Sequence, residues 1–268
     1  MATPREINRH MKSVGNIGKI TKAMKMVAAA RLRRAQEKAA ASRPYAIKIK
    51  EVLSNVVSDP SVLAGLDAKK HPLLQKREVQ KVGYLVLCSD KGLAGAYSSN
   101  ALKKAIAEIS ECEDEVVIIT CGRKARDFFT RRGFNVIQSH IGFSDRPTYE
   151  NAVAIAQDAI KTFASEGFDK LNIVYTIFKT ALSQIPTSEV ILPVEPPAKE
   201  NDKAQASFMF EPGEDETLKV LAPKYLETVV YAALVQSAAS ELGSRMTAMS
   251  SATDNAAKLV SSLQLSYN

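Results

Sequence analysis

Apolar residues recur at heptad spacing in both terminal segments of the chain, and this pairing constrains the fold more than anything between them. From about Arg5 to Ser58 there is no Gly after Gly18 and only Pro44 in the interior. That pattern predicts one very long helix with a bend at Pro44, roughly 80 Å in length at ~1.5 Å per residue. Ile7, Val14, Thr21, Ala28, Ala35 and Ser42 share one heptad position, flanked by Met11 and Leu32 on one side and Ile17 and Met24 on the other. At the other end, Leu218, Tyr225, Ala232, Ala239, Met246, Thr253, Val260 and Tyr267 recur every seven residues. Leu221, Thr228, Val235, Leu242, Met249, Ala256 and Leu263 follow them at a spacing of three, completing an a/d seam. Small residues are frequent in it, which lets two helices approach closely, and Glu214, Asp215 and Glu216 suit a helix N-terminus. The two segments are expected to form a coiled coil.

Charge sets the first helix apart. Ile7 through Gln36 contains no Asp or Glu, although exposed helices gain from alternating signs three or four residues apart. Residues 1 to 59 hold 13 Lys and Arg against 4 Asp and Glu, and the rest of the chain holds 23 against 25. All of the net +7 therefore resides in the first segment. Arg5, Lys12, Lys19 and Arg33 share a heptad position opposite the apolar one. A helix basic on one face and apolar on the other implies an acidic partner: nucleic acid, anionic lipid or an acidic protein surface.

The middle of the chain reads differently. Val82–Ser89, Val116–Cys121, Phe134–Ile137 and Leu171–Phe178 are short apolar runs, separated by helical stretches at Ser99–Ile109, Arg123–Arg131 and Asn151–Ala164. Such alternation predicts βαβ units and a mostly parallel sheet. Connectors are expected at Ser58–Pro72 and Leu192–Gln205. The fold class is thus α/β: a long antiparallel coiled coil of N- and C-terminal helices, 1–59 and 213–268, with an inserted Rossmann-like domain over 75–195.

Catalytic chemistry is hard to place on these residues. Ser89–Tyr97 (SDKGLAGAY) stands where a doubly wound domain puts a phosphate-binding loop, yet Gly92 and Gly95 give only part of a dinucleotide fingerprint and no acid ends the second strand. A tight strand-to-helix turn is the simpler expectation. Cys88, Cys112 and Cys121 lack metal-ligand spacing and read as buried thiols; His10, His71 and His140 are scattered. Asp90, Asp127, Asp145, Asp169 and Glu189 form no acid–base pair and are expected to be solvated loop charges, as is Glu111–Glu115. No apolar run reaches the length that spans a bilayer. Two binding readings remain open on the residues alone: a nucleic-acid grip through phosphates, and a shaft inside a protein complex with its basic face against acidic loops.

Three long motifs narrow this. Lys19–Tyr45 (KITKAMKMVAAARLRRAQEKAAASRPY), Gly83–Tyr97 (GYLVLCSDKGLAGAY) and Ser244–Asn268 (SRMTAMSSATDNAAKLVSSLQLSYN) closely resemble the γ subunits of F-type ATP synthases, in order and over nearly the whole chain. The resemblance implies a non-catalytic rotor shaft without a cofactor or metal. Its shaft turns within a hexamer of α and β subunits, and its foot joins the ε subunit and the membrane ring of c subunits. No nucleic acid and no membrane insertion are implied. In the family, the Met of the ITKAM motif and the Arg of the SRM motif lie where the shaft meets the β levers, positions that match Met24 and Arg245. Lys12, Lys19, Lys22, Arg31, Arg33 and Arg34 are expected to face acidic partner loops.

The family often has Glu after that Met, where this chain has Lys25. Chloroplast members carry an inserted cysteine pair; no closely spaced pair occurs here, which favours a bacterial origin and the cytoplasmic face of a plasma membrane. Family members usually continue about two heptads beyond the match to LQLSYN, whereas this sequence ends at Asn268. A complex built with this chain is expected to assemble and rotate with reduced torque. Single-molecule rotation beside a longer family member tests this, and equal torque would contradict it.

Overall fold

The computed structural model describes residues 3–57, 71–194 and 213–268. The two expected connectors lie mostly outside these residues. Helix α1 spans Pro4–Val57 and the C-terminal helix, α5, spans Glu214–Tyr267, 54 residues each. Both continue through a proline, Pro44 in α1 and Pro223 in α5. They run antiparallel. A Cβ on Gly18 would stand 3.3 Å from the Ala256 methyl, the Thr21 and Thr253 hydroxyls are 2.8 Å apart, and Leu32 and Ala35 pack with Ala239 and Leu242. Val14, Thr21, Ala28, Ala35 and Ile49, one heptad position, are all buried.

Between the shaft helices lies a five-stranded sheet in the order β3-β2-β1-β4-β5. Its strands are β1 (Lys81–Leu87), β2 (Glu115–Cys121), β3 (Val136–His140), β4 (Lys170–Phe178) and β5 (Gln184–Leu192). The first four are parallel, and β5 runs antiparallel to β4. Helices α2 (Tyr97–Ser110) and α3 (Arg123–Arg131) cover one face, and α4 (Tyr149–Ala164) covers the other. A short 3-10 turn, Pro72–Leu74, precedes β1.

Alternation along the strands decides which layer each residue joins. Val82, Tyr84, Val86 and Ile118 pack with Ala101, Leu102, Ala105 and Phe129 of α2 and α3. Leu85, Leu87, Val117 and Ile119 face the opposite way and pack with Ile155, Ala159 and Phe163 of α4. That second cluster also takes in Leu218, Leu226, Val230, Ala233 and Leu234 of α5, with Leu53 of α1. Helix α5 therefore belongs to the shaft and to the sheet at once. The heptad reading expects one buried seam on it; instead its middle is buried on nearly every side, because α1 and the sheet both cover it.

The contact with the sheet is also polar. Strand β4 pairs with β1 only as far as Val86↔Val174 but continues beside β5 to Phe178. Past Val174 its other edge has no strand to pair with, and a buried backbone group left so would be costly. Side chains of α5 fill the vacancy. Thr176 N–H donates to Ser237 Oγ (3.3 Å), Phe178 N–H donates to Gln236 Oε1 (3.1 Å), and Ser240 Oγ donates to the Thr176 carbonyl (3.0 Å). Farther along, Ser244 Oγ meets Gln184 Oε1 at 2.8 Å and Thr247 Oγ1 donates to the Ala181 carbonyl at 3.0 Å. Gly243 permits this approach, since a Cβ there would lie 2.9 Å from the Phe178 ring and 3.5 Å from Ala181 Cα.

Two strands depart from the sequence expectation. Strand β5 is missed by the apolar-run criterion, because QIPTSEVIL is an edge strand with a proline and with exposed Ile185, Glu189 and Val190. Strand β3 begins two residues later than expected and ends on polar Gln138, Ser139 and His140; it too is an edge.

The expectation of solvated aspartates is overturned for Asp90, Asp145 and Asp169. The Asp90 side chain is only 5% exposed and joins three loops at the C-terminal edge of the sheet. Its Oδ1 accepts from Arg123 N–H (3.1 Å) and its Oδ2 from Gly142 N–H (2.8 Å) and Ser144 N–H (3.0 Å). Burial by itself raises the carboxyl pKa, but these N–H donors outweigh it and hold the group below its ordinary value. Asp169 Oδ2 accepts from the N–H groups of Gln80 and Lys81 at the start of β1. Asp127 remains half-exposed beside Arg126, and Glu189 accepts from the Tyr175 hydroxyl.

Two outcomes follow for stability. Gly243→Ala forces the Phe178 ring aside and is expected to lower unfolding free energy by ~1–3 kcal/mol in chemical denaturation. Asp90→Ala strands three N–H groups and is expected to cost about 3 kcal/mol. Because the folded-state pKa of Asp90 is depressed, its contribution is complete above the ordinary aspartate pKa and fades as pH falls through the folded value. The wild type should therefore lose its advantage over Asp90→Ala in acid.

Candidate functional site

Three of the residues singled out from sequence, Met24, Arg31 and Arg245, meet at one place. An apolar groove of about 550 Å³ lies between α1 and the loop that follows β1, lined by Ile20, Met24 and Val27 of α1, Leu93 of the loop and Leu242 of α5. Arg31, Lys91 and Arg245 stand at its rim with Asp145. Ile17, Ile20, Met26 and Val27 are exposed on α1, as is Leu93, so the groove continues into an open apolar stripe. Helix periodicity explains the stripe: Ile17, Ile20, Met24 and Val27 are spaced by three and four residues, beside but not within the seam that holds α5.

The loop itself is a tight structural turn. Leu93 adopts φ 62° and Gly95 φ 53°, and Gly95 lies against the backbone of Ser244. In doubly wound sheets a ligand binds beyond the strand ends where the strand order reverses, here beside β1 and β4. That place is taken by α5, through Ser237, Ser240 and Gln236. Cys88 and Cys121 are buried there, and burial pushes both thiols up. Among the described residues no group of His, Cys, Asp and Glu is arranged to hold a metal ion.

The basic residues divide into two groups. Lys12, Lys19, Lys22 and Arg34 are exposed and make no ion pair among the described residues, and Arg33 (84% exposed) pairs with Glu37 of its own helix. Arg34 lines a smaller pocket with Lys38 and Arg146. The other group is turned inward. Arg31 Nη1 donates to Asp145 Oδ2 at 2.5 Å, and Lys91 Nζ reaches the same oxygen at 3.4 Å. Arg245 is buried: its Nη2 donates to Glu241 Oε1 at 2.7 Å and to the Gly92 carbonyl at 3.3 Å. Lys25 donates to Ser250 Oγ of α5 at 3.0 Å, so the residue that departs from the family pattern bridges the two helices.

Sequence reasoning missed Glu241 and the side chains that join α5 to β4. Glu241 is fully buried, and burial raises its carboxyl pKa against the pull of Arg245. Its position four residues before Arg245, amid small and apolar residues, was the available signal. Nothing in GFSDRP marks Asp145 as the partner of Arg31, which is 114 residues away.

Comparison with known proteins decides between the readings. A family model described as ATP synthase matches residues 3–268. The chain is 47% identical over 267 residues to the ATP synthase gamma chain of Brevibacillus brevis, covering 98% of this chain and 91% of that one. This chain belongs to the ATP synthase γ-chain family. It is also 41% identical over 268 residues to the gamma chain of Desulfitobacterium hafniense, covering 100% of this chain and 92% of that one. As a γ chain it is a non-catalytic subunit of the rotary stalk, which settles the choice against the nucleic-acid reading.

Solved structures share the γ-chain fold at lower identity. The central stalk and c-ring structure of Tetrahymena thermophila mitochondrial ATP synthase contains a chain with TM-score 0.64 and 23% identity, covering 87% of this chain and 99% of that one. The rotor of the Euglena gracilis mitochondrial enzyme gives TM-score 0.64 at 17% identity, covering 99% and 96%. No described helix is long and apolar enough to cross a membrane.

The Arg31–Asp145 contact joins α1 to the loop between β3 and α4, with side chains 28% and 10% exposed. Asp145→Ala is expected to cost about 2 kcal/mol, in the range of a hydrogen bond to a charged group. Thermal melts of the two chains check this; an unchanged melt would place the contact among ion pairs without effect.

Proposed function

We propose that this γ chain is the turning shaft of a bacterial ATP synthase, seated in the ring of α and β subunits on the cytoplasmic face of the plasma membrane. Its foot meets the ε subunit and the ring of c subunits. Residues 1–59 and 213–268 act as the shaft and 75–195 as the foot. Rotation of the membrane ring turns the shaft, and ATP is made or hydrolysed at the β subunits. The observation that carries this reading is the groove: an exposed apolar stripe bearing Met24, rimmed by Arg31, Lys91 and Arg245, on the helix that has no acid from Ile7 to Gln36.

Coupling needs an interaction energy that depends on angle, because an effector shifts a conformational equilibrium only by its differential affinity for the states. The groove and stripe occupy one side of the shaft. A β lever with acidic and apolar side chains gains contacts when that side faces it and loses them when it turns away. Lys12, Lys19, Lys22, Arg33 and Arg34, exposed along α1, extend the attraction along the shaft without locking it to one partner.

The test uses complexes of this full chain with α and β subunits. Replacing Lys12, Lys19 and Arg33 by Gln together is expected to leave assembly intact and to lower the torque of ATP-driven rotation, and Met24→Ala to lower it as well. Unchanged torque in both would reduce the basic face to a solvated surface and the groove to a feature of packing.

A further inference from the structure

Glu241 is a buried acid on a helix whose neighbouring positions are Ser240, Leu242 and Gly243. Its Oε1 accepts from Arg245 Nη2 at 2.7 Å, and the carboxylate side chain is only 1% exposed. Such a pair is a poor way to gain stability, since desolvation of two charges offsets their attraction and apolar residues of similar volume do as well or better. What the pair does supply is geometry. Both contacts of Arg245, to Glu241 Oε1 and to the Gly92 carbonyl, use Nη2, and its Nε and Nη1 make no hydrogen bond among the described residues. The same side chain lines the groove with Met24.

We propose that Glu241 is a positioning residue of the rotor: it fixes the guanidinium of Arg245 at the groove wall with Nε and Nη1 left to receive a carboxylate of the surrounding partner. Nε and Nη1 lie on different edges of the guanidinium, so each offers a single charge-assisted hydrogen bond to a carboxylate oxygen. An arginine free to rotate would have to be ordered at every encounter; one already ordered meets each successive lever in the same pose. The Gly92 carbonyl adds a second anchor, tying the pose to the loop after β1 and so to the foot. This role rests on the reading of the groove as the face presented to the β subunits.

The experiment measures torque in single-molecule rotation of complexes of α and β subunits with the full chain, and thermal stability of each variant chain. Glu241→Met is expected to keep or raise stability, yet to lose as much torque as Arg245→Met. The double variant should do no worse than Arg245→Met alone, because residues acting through one contact are non-additive. Glu241→Gln keeps an oxygen for Arg245 and should retain most of the torque, whereas Glu241→Asp, which draws the carboxylate back, should lose it. Wild-type torque in Glu241→Met or Glu241→Asp, or losses that add in the double variant, would overturn the positioning role. Should Glu241→Met fail to assemble, the contrast between Glu241→Asp and Glu241→Gln decides. Wild-type torque in Arg245→Met would instead remove the groove reading beneath it.

Discussion

Helix α5 is required to satisfy two partners along the same stretch, and the rest of the molecule depends on that. One side must carry small residues so that α1 can lie close, as at Gly18 and Ala256, where only a methyl separates the helices. The other must present hydroxyl and amide groups at the spacing of a β-strand edge, which Ser237, Gln236 and Ser240 do for Thr176 and Phe178. An ordinary coiled-coil helix has a solvated back. This one has a sheet there, and hydrogen bonds and packed side chains join the two. The Arg31–Asp145 contact gives α1 a second attachment to the same foot.

The same packing fills the crevice of the doubly wound domain. The crevice outside β1 and β4 is where such sheets place ligands, and α5 occupies it. The polar residues that gather there, Asp90, Tyr97, Ser144 and Glu241, are turned to internal use: Asp90 joins loops, and Glu241 holds Arg245. The Tyr97 hydroxyl, buried beside Glu241, has its pKa raised by burial first and by that charge second.

Much of the architecture was legible in the sequence because it rests on periodicity. The heptad at Val14, Thr21, Ala28 and Ala35 is the buried seam of α1, and the runs at Val82, Val116 and Leu171 are the three central strands. Edge strands escaped because their signal is diluted by polar residues and, in β5, by Pro186. Loop aspartates were misread because burial of a carboxylate is decided by N–H groups from distant loops, which no local pattern reveals. The groove was half legible. Met24 and Arg245 were identified through family motifs, and their shared cavity follows only from the antiparallel register. That Arg31 points inward, while Lys12, Lys19 and Lys22 point outward, could not be read from a one-signed charge run.

The claim on which all of this turns is that α5 is part of the foot as well as of the shaft. Native-state hydrogen exchange at Thr176 and Phe178 tests it most directly, because these amides pair with α5 side chains and with no strand. The account predicts that both exchange as slowly as the amides of the β1–β4 ladder and open together with the middle of α5, as one cooperative unit. Exchange of these two amides at loop-like rates, while Val82–Val86 and Lys170–Val174 stay protected, would contradict it.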